Sequence, residues 1–348
     1  DAPVHRAWTD SQWRMDEAEA SRRRDLRPSH TVFSIDPPGC QDIDDAMSVR
    51  VMPNGNVEVG VHIADVTYFV RDGGALDGAA RARGETLYLP HARFDMLPKL
   101  LSADVCSLQG GRDRYAVSVM WEVEGLLEAA GFAQGQPLSA QAIPVKNLRE
   151  GYVPKSVRVH KPKTWFGRTA LHNRAAMTYA QADALLHDRR NKAAMLDPQA
   201  PPPPGQAGAP VARALWPELR AGVYLLALFS RSLKAGRAAA GALDLSSDGR
   251  ELDFELAAQT LRPEAYEEPE HLEAHSTVEE LMILANGSVA EKVLASPTPA
   301  WPGAGKSADA HNGDAVLRSH QPTPAREVEP VLRVLEGAGI AAVAALQA

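Results

Sequence analysis

The stretch from Thr31 to Ala46, TVFSIDPPGCQDIDDA, places four carboxylates, Asp36, Asp42, Asp44 and Asp45, within ten residues. Thr31 to Ile35 reads as a short apolar strand, Pro37-Pro38-Gly39 breaks it, and Ala46 to Val51 starts a second strand, so the acids fall on a turn between strands. Many Asp-rich turns are solvated loops. One that folds inward needs cations, because an unpaired buried carboxylate costs several kcal/mol. Hard oxygen ligands point to Mg²⁺, with Mn²⁺ as a substitute, and such sites commonly serve phosphates. The chemistry expected of the turn is metal-assisted phosphodiester cleavage. A calcium loop of the EF-hand kind is excluded: counted from Asp42, Met47 stands where the glycine belongs and Pro53 where the bidentate glutamate belongs.

Working outward, Val57, Val59, Val61 and Ile63 alternate with Glu58, Gly60 and His62, and Asn54-Gly55 just upstream signals a hairpin, which together predict a meander with one buried face. His62 has no partner histidine at metal spacing and reads as a structural or surface residue, not a ligand. Residues 1–28 form a charged, helical lead-in. Ala75 to Arg83 is expected to be helical, Leu87-Tyr88-Leu89-Pro90 extended, Phe94 to Leu108 core, and Arg114 to Val123 a strand. Met177 to His187 and Val211 to Ala240 carry helical patterns. In residues 276–294 the best helix of the chain is expected, capped by Ser276 or Thr277 with Glu279 or Glu280, apolar nearly all round and therefore interior. A last helix is expected over 325–348. The fold class is mixed α/β.

At 348 residues the chain can bury a sizeable core, as one large domain or two smaller ones. It has no apolar run of about eighteen residues, and its first residues lack the apolar core of a secretory signal. Cys40 and Cys106 form no C-x-x-C pair, against a zinc ribbon or disulfide scaffold. An intracellular, reducing compartment is expected, and no membrane. The net charge of -7 argues against binding nucleic acid by bulk electrostatics. Locally, however, Lys146 to Arg174 carries eight basic residues against Glu150, with Tyr152, Trp165 and Phe166 interleaved, a composition suited to gripping a single strand. The four prolines Pro201 to Pro204 read as a stiff linker. The stretch from Trp301 to Ser307 lacks phosphate-loop spacing.

Six segments, taken in order, carry a specific resemblance: 31–46, GVHIADV (60–66), RGETLYLP (83–90), DMLPKLLSADVCSL (95–108), DRYAVSVMWE (113–122) and VEELMILAN (278–286), joined by WFGR (165–168), MTY (177–179) and AVLRSH (315–320). This pattern resembles the RNB domain, the catalytic domain of the RNase II and RNase R exoribonucleases and of the Dis3-like nucleases, and the wording is nearest the Dis3-like branch. The resemblance covers roughly residues 26–325. It implies hydrolytic 3′ to 5′ degradation of single-stranded RNA to nucleoside 5′-monophosphates with Mg²⁺. Carried over residue by residue, it makes Asp36, Asp42, Asp44 and Asp45 the catalytic and metal-binding acids, with Asp44 the one on which catalysis most depends and Asp36 and Asp45 direct ligands. Tyr88 and Tyr179 fall where the family contacts terminal nucleotides, and Glu279 falls on its active-site glutamate. Residues 29–348 are then an RNB-type domain, a mixed sheet flanked by helices, with insertions at 146–163 and 198–210. The chain is expected to be incomplete at its C-terminal end, since the arginine-bearing TSPIRRY segment of the family does not occur. Single-stranded RNA and a larger ribonucleoprotein assembly are the partners this implies. An inactive RNA-binding or scaffold subunit on the same fold is the rival expectation.

Overall fold

The computed structural model describes residues 13–89, 92–140, 152–187, 211–242, 253–256, 263–267, 271–295, 329–330 and 333. Helix α1 (Glu17–Ala20) and strand β1 (Arg24–Asp25) lead into β2 (Thr31–Asp36), β3 (Asp45–Val51) and β4 (Val57–Ala64). There follow α2 (Val66–Phe69), α3 (Ala75–Arg83), a ribbon of β5 (Leu87–Leu89) with β6 (Ala92–Phe94), and a π-helical turn over Leu101–Val105. Then come β7 (Arg112–Glu124), α4 (Leu126–Ala129), β8 (Arg158–Val159), β9 (Trp165–Thr178), α5 (Tyr179–His187), α6 (Trp216–Ala239), the antiparallel pair β10 (Asp253–Leu256) and β11 (Pro263–Glu267), and α7 (Glu273–Ala295). The chain divides into two units, Asp1–Ala235 with Ser246–Asn286, and Gly236–Leu245 with Gly287–Ala348. All candidate site residues belong to the first.

The expected meander is present and closes on itself. Strands run in the order β1-β9-β2-β3-β4-β7-β8, and β9 pairs also with β7, so β9, β2, β3, β4 and β7 form a barrel. Only the β9 pairings with β1 and β2 are parallel. Alternation along each strand then sorts side chains to the two sides. Phe33, Met47, Val49, Val59, Val61 and Trp121 join α6 residues such as Tyr224 and Leu225 in one outer core. The inner side is partly polar: His62 bridges Ser118 Oγ at 2.7 Å and Ser48 Oγ at 2.8 Å, and Ser118 meets Thr169 at 2.7 Å. Burial holds the His62 pKa down at about 3, so the ring is neutral and structural, as its spacing implied.

Two glycines make room for this packing. A Cβ on Gly60 would stand 2.7 Å from Ser48 Oγ and 2.8 Å from His62 Cε1, and one on Gly222 would stand 2.9 Å from Phe33 Cε1, where α6 crosses the sheet.

Several boundaries differ from expectation. Among the described residues of the lead-in only Glu17–Ala20 is helical. Arg23 is buried, with its guanidinium against Asp65 at 2.7 Å and Glu19 at 2.8 Å and over the Tyr115 ring, so ion pairing binds this segment to the barrel. Helix α5 starts at Tyr179 because Met177 and Thr178 still pair with β2. Helix α6 starts at Trp216, where Pro217 fits a first turn that needs no N–H.

Helix α7 begins at Glu273, so Ser276 and Thr277 are not its caps. Asp183 Oδ1 accepts from Glu273 N at 3.1 Å and His275 Nδ1 from Leu272 N at 3.0 Å, supplying the cap from outside the expected box. Nor is α7 wholly interior: Ala274, Thr277, Glu280, Leu281 and Ala285 are buried, whereas Ile283, Val289 and Leu294 are exposed. The proline linker, the stretch 301–307, the segment 315–320 and most of the expected last helix lie outside the described residues.

Gly60→Ala is expected to destabilise the protein by about 1–3 kcal/mol through overpacking inside the barrel. Gly236→Ala, on α6 with nothing within 4 Å of the added carbon, should instead stabilise by up to about 1 kcal/mol. Urea unfolding of both variants checks the contrast.

Candidate active site

Strand β2 ends at Asp36, and the chain turns at Gly39 (φ +83°), with Cys40 N donating to Pro37 O at 3.2 Å. Ile43 is buried; its N–H donates to Ser107 Oγ at 3.1 Å and its carbonyl accepts from Leu108 N at 2.8 Å. Ser107 Oγ in turn donates to Gln41 O at 2.8 Å. With Ile43 pinned inward, its neighbours Asp42 and Asp44 project away from that core. Ala64 N donates to Asp44 O at 2.9 Å, and Asp45 enters β3 opposite Ile63. The segment that resembled a solvated loop is thus tied to two strands and a buried side chain.

Its carboxyls are gathered against their own preference. Asp36 is 8% exposed and its pKa stands at about 7, raised by burial and then by the charges of Asp45, Asp44 and Asp42. Asp45 is raised to about 6 by burial and by Asp44. Asp44 reaches solvent, yet partial desolvation and the charge of Asp42 lift it as well, with Arg93 opposing. Asp36 Oδ2 is buried with no hydrogen-bond partner. Burial also pushes the Cys40 thiol, whose Sγ lies 3.8 Å from Asp42 Oδ1, up to about 12, so it stays protonated and offers no thiolate ligand.

Asp42 is held differently. Arg93 Nη1 and Nη2 donate to its two oxygens at 2.7 and 2.6 Å, and Tyr88 Oη donates to Oδ2 at 3.4 Å. Arg93 and Tyr88 are direct cross-strand partners on the β5/β6 ribbon, and the guanidinium lies 5.2 Å from the Tyr88 ring centroid. The Tyr88 ring is otherwise open to solvent, at 67% exposure.

Tyr179 opens α5 directly after Thr178, which pairs with Asp36. Its hydroxyl pKa is raised to about 12 by burial and then by the charges of Asp45 and Asp36. The His275 ring stacks on it at 3.9 Å and 18°. Glu279 is exposed on α7, and no hydrogen bond or ion pair among the described residues joins it to the four aspartates. Its neighbour Glu280 is buried.

The chemistry of this donor set fits a hard divalent cation: clustered carboxylate oxygens, one of them buried and unpartnered, with pKa values lifted by burial and then by mutual repulsion. Among the described residues no three His, Cys, Asp or Glu side chains stand close enough to hold a metal ion as they are. The acids interact without converging on one point, and Asp42 is turned to the ribbon.

Sequence reasoning missed Arg93 and His275. Arg93 was visible as the cation that follows Tyr88 within one ribbon; nothing in the sequence marked His275. Within the basic run, Arg158 and His160 pair with Glu124, Lys163 with Glu122 and Arg174 with Glu218, while Trp165 lies against Arg24. Lys146 and Arg149 lie outside the described residues. No described helix is long and apolar enough to cross a membrane.

Three comparisons bear on this site. The RNB domain family matches residues 23–336. The exosome complex exonuclease dis3 of Schizosaccharomyces pombe is 35% identical over 318 residues, covering 90% of this chain and 25% of its own length. Among solved structures, Mycoplasma genitalium RNase R in complex with ribose-methylated single-stranded RNA matches with a TM-score of 0.60 at 20% identity, over 84% of this chain and 37% of its own. Yeast Ssd1, described as a pseudonuclease, matches with a TM-score of 0.50 at 18% identity, over 80% and 27%. The chain therefore spans about a quarter of the length of that curated relative.

A carboxyl whose native pKa lies above its unfolded value stabilises the fold fully at pH below about 4 and loses that contribution as pH rises through the native value. For Asp36 and Asp45 the loss runs between about pH 4 and 7. Metal-free Asp36→Asn should therefore be more stable than the parent at pH 8, by about 1–3 kcal/mol, with the difference shrinking toward pH 4. Melting curves across that range check it.

Proposed function

Because the chain belongs to the RNB family, we propose that it is the catalytic portion of a hydrolytic 3′ to 5′ exoribonuclease acting on single-stranded RNA, with Mg²⁺ as cofactor and Mn²⁺ as its substitute. The observation that carries this reading is the buried Asp36 carboxylate, one oxygen of it without a partner and its pKa lifted by burial and then by three neighbouring acids, in a turn locked to the barrel. A stabilising role does not account for it, since each raised pKa is a cost to the fold. A cation role does.

In this reading Asp36 and Asp45 hold Mg²⁺, with Asp44 beside them. When bound, the ion supplies Lewis-acid stabilisation of the charge that develops on the scissile phosphate. Asp44, at the solvent rim and with a raised pKa, is suited to take the proton of an attacking water. Tyr88 offers an open ring face to a terminal base, and Tyr179, braced by His275, offers its edge and hydroxyl beside Asp36 and Asp45. Each stacked base is worth about 1–3 kcal/mol, enough to set the phosphate in line. Glu279 is assigned to the site through the family resemblance. Nucleoside 5′-monophosphates are the proposed product, and a larger RNA-processing assembly inside the cell is the proposed setting, in keeping with the exosome relative.

A second reading, an RNA-binding scaffold that has lost turnover, is favoured by one observation: Asp42 is clamped by Arg93. The pseudonuclease among the fold neighbours shows the barrel in such a protein.

A 5′-labelled single-stranded RNA incubated with the chain and Mg²⁺ is expected to shorten stepwise, and Asp44→Asn should lower that rate by about two orders of magnitude or more. Binding without shortening in the parent would leave the scaffold reading. Chelation is expected to lower the melting temperature of protein equilibrated with Mg²⁺, because an ion bound only by the folded state stabilises it by mass action.

A further inference from the structure

The four acids do not share one task. We propose that Asp42 is a tether, not a ligand: the Arg93 guanidinium clamps it and so docks the β5/β6 ribbon, with Tyr88 on it, against the acid turn. Arg93 is then a positioning residue for Tyr88. The inference rests on the reading of Tyr88 as a nucleotide contact only for its functional consequence; the docking itself does not depend on it.

The geometry separates Asp42 from the others. Both of its oxygens accept from one guanidinium at 2.7 and 2.6 Å, the two-point geometry in which Arg binds carboxylates most firmly. Tyr88 Oη adds a third donor at 3.4 Å. Asp36, by contrast, keeps an oxygen buried and unpartnered. A carboxylate already spanned by a guanidinium is a poor inner ligand, because the cation would have to displace charge-assisted hydrogen bonds that already neutralise it.

Among the described residues, few other contacts hold the ribbon down. Its strands are three residues each, and Leu87, Tyr88, Leu89 and Phe94 are all substantially exposed, so burial contributes little to its docking. At its flanks Arg83 donates to Asp95 O and Met96 N to Thr86 Oγ1, while Arg93 pairs with Tyr88 across the ribbon, lies against that ring, and brings Nε to 2.5 Å from Asp95 Oδ1, in ion-pair contact without hydrogen-bond alignment. A guanidinium is needed for this arrangement, since the planar fork reaches both oxygens of Asp42 while its face stays against Tyr88; an ammonium has a single point of charge.

The test uses the whole chain, with circular dichroism to confirm folding of each variant. Hydrogen exchange without RNA reads the docking: Arg93→Ala and Asp42→Asn should each raise exchange at Leu87–Leu89 and Ala92–Phe94 by about ten-fold or more, with Arg93→Lys between them and the parent. Unchanged protection in both variants overturns the tether whatever the RNA does. Calorimetric titration with Mg²⁺ alone should give Asp42→Asn an affinity within about three-fold of the parent while Asp45→Asn loses at least ten-fold; equal losses overturn the division of roles. Affinity for a 3′-ended oligoribonucleotide in EDTA should fall about ten-fold in Tyr88→Ala and in Arg93→Ala and no further in the double variant. Additive losses overturn the coupling of Arg93 to Tyr88. Loosened ribbon strands with no change in RNA affinity would leave the tether standing and remove the nucleotide role of Tyr88.

Discussion

Everything at the candidate site depends on one anchored side chain, Ile43. Buried and hydrogen-bonded through both its backbone groups, it converts an acidic turn that water would otherwise disperse into a fixed part of the barrel wall. Once it is fixed, Asp42 and Asp44 have no freedom to retreat, and Asp36 and Asp45 are fixed by the ends of their strands. The raised pKa values follow from that confinement, because carboxylates held near one another and partly dried keep their protons longer.

The barrel supplies the stiffness that confinement needs. Its outer side packs on α6, with Gly222 permitting close approach, and its inner side is filled by a neutral histidine whose two nitrogens are both satisfied. A buried polar group this well partnered costs little and specifies one arrangement of β3, β4 and β7. The acid turn and the tyrosines are therefore mounted on the rigid end of the molecule, while the β5/β6 ribbon is its lightly attached part.

Much of this was legible in the sequence, and the limits have physical causes. The alternation of Val57 to Ile63 gave the meander, and the flanking strands placed the four aspartates on a turn. The family resemblance named Tyr88, Tyr179 and Glu279 without placing them; two of the three stand beside the acids, and Glu279 is joined to them by no hydrogen bond or ion pair. Closure of the barrel was not legible, because it depends on β9 pairing with two strands far from it in sequence. Helix α7 misled twice. Its cap comes from Asp183 on another helix, and its apolar residues outnumber the places in the core, so some remain at the surface. Composition also does not show which cations of the basic run pair with Glu122, Glu124 or Glu218.

The pairing of Asp36 with Thr178 carries a consequence for how the molecule comes into being. Strand β2 is made before the partner that sets it beside Tyr179, which lies some 140 residues further along the chain. Until β9 is made, the nascent chain holds a row of acids without Tyr179 beside them and a meander with two open edges. Such long-range closure is slow, since loop entropy is spent before the contacts reward it. Closing the barrel and setting Tyr179 next to the strand that ends in Asp36 are therefore one event.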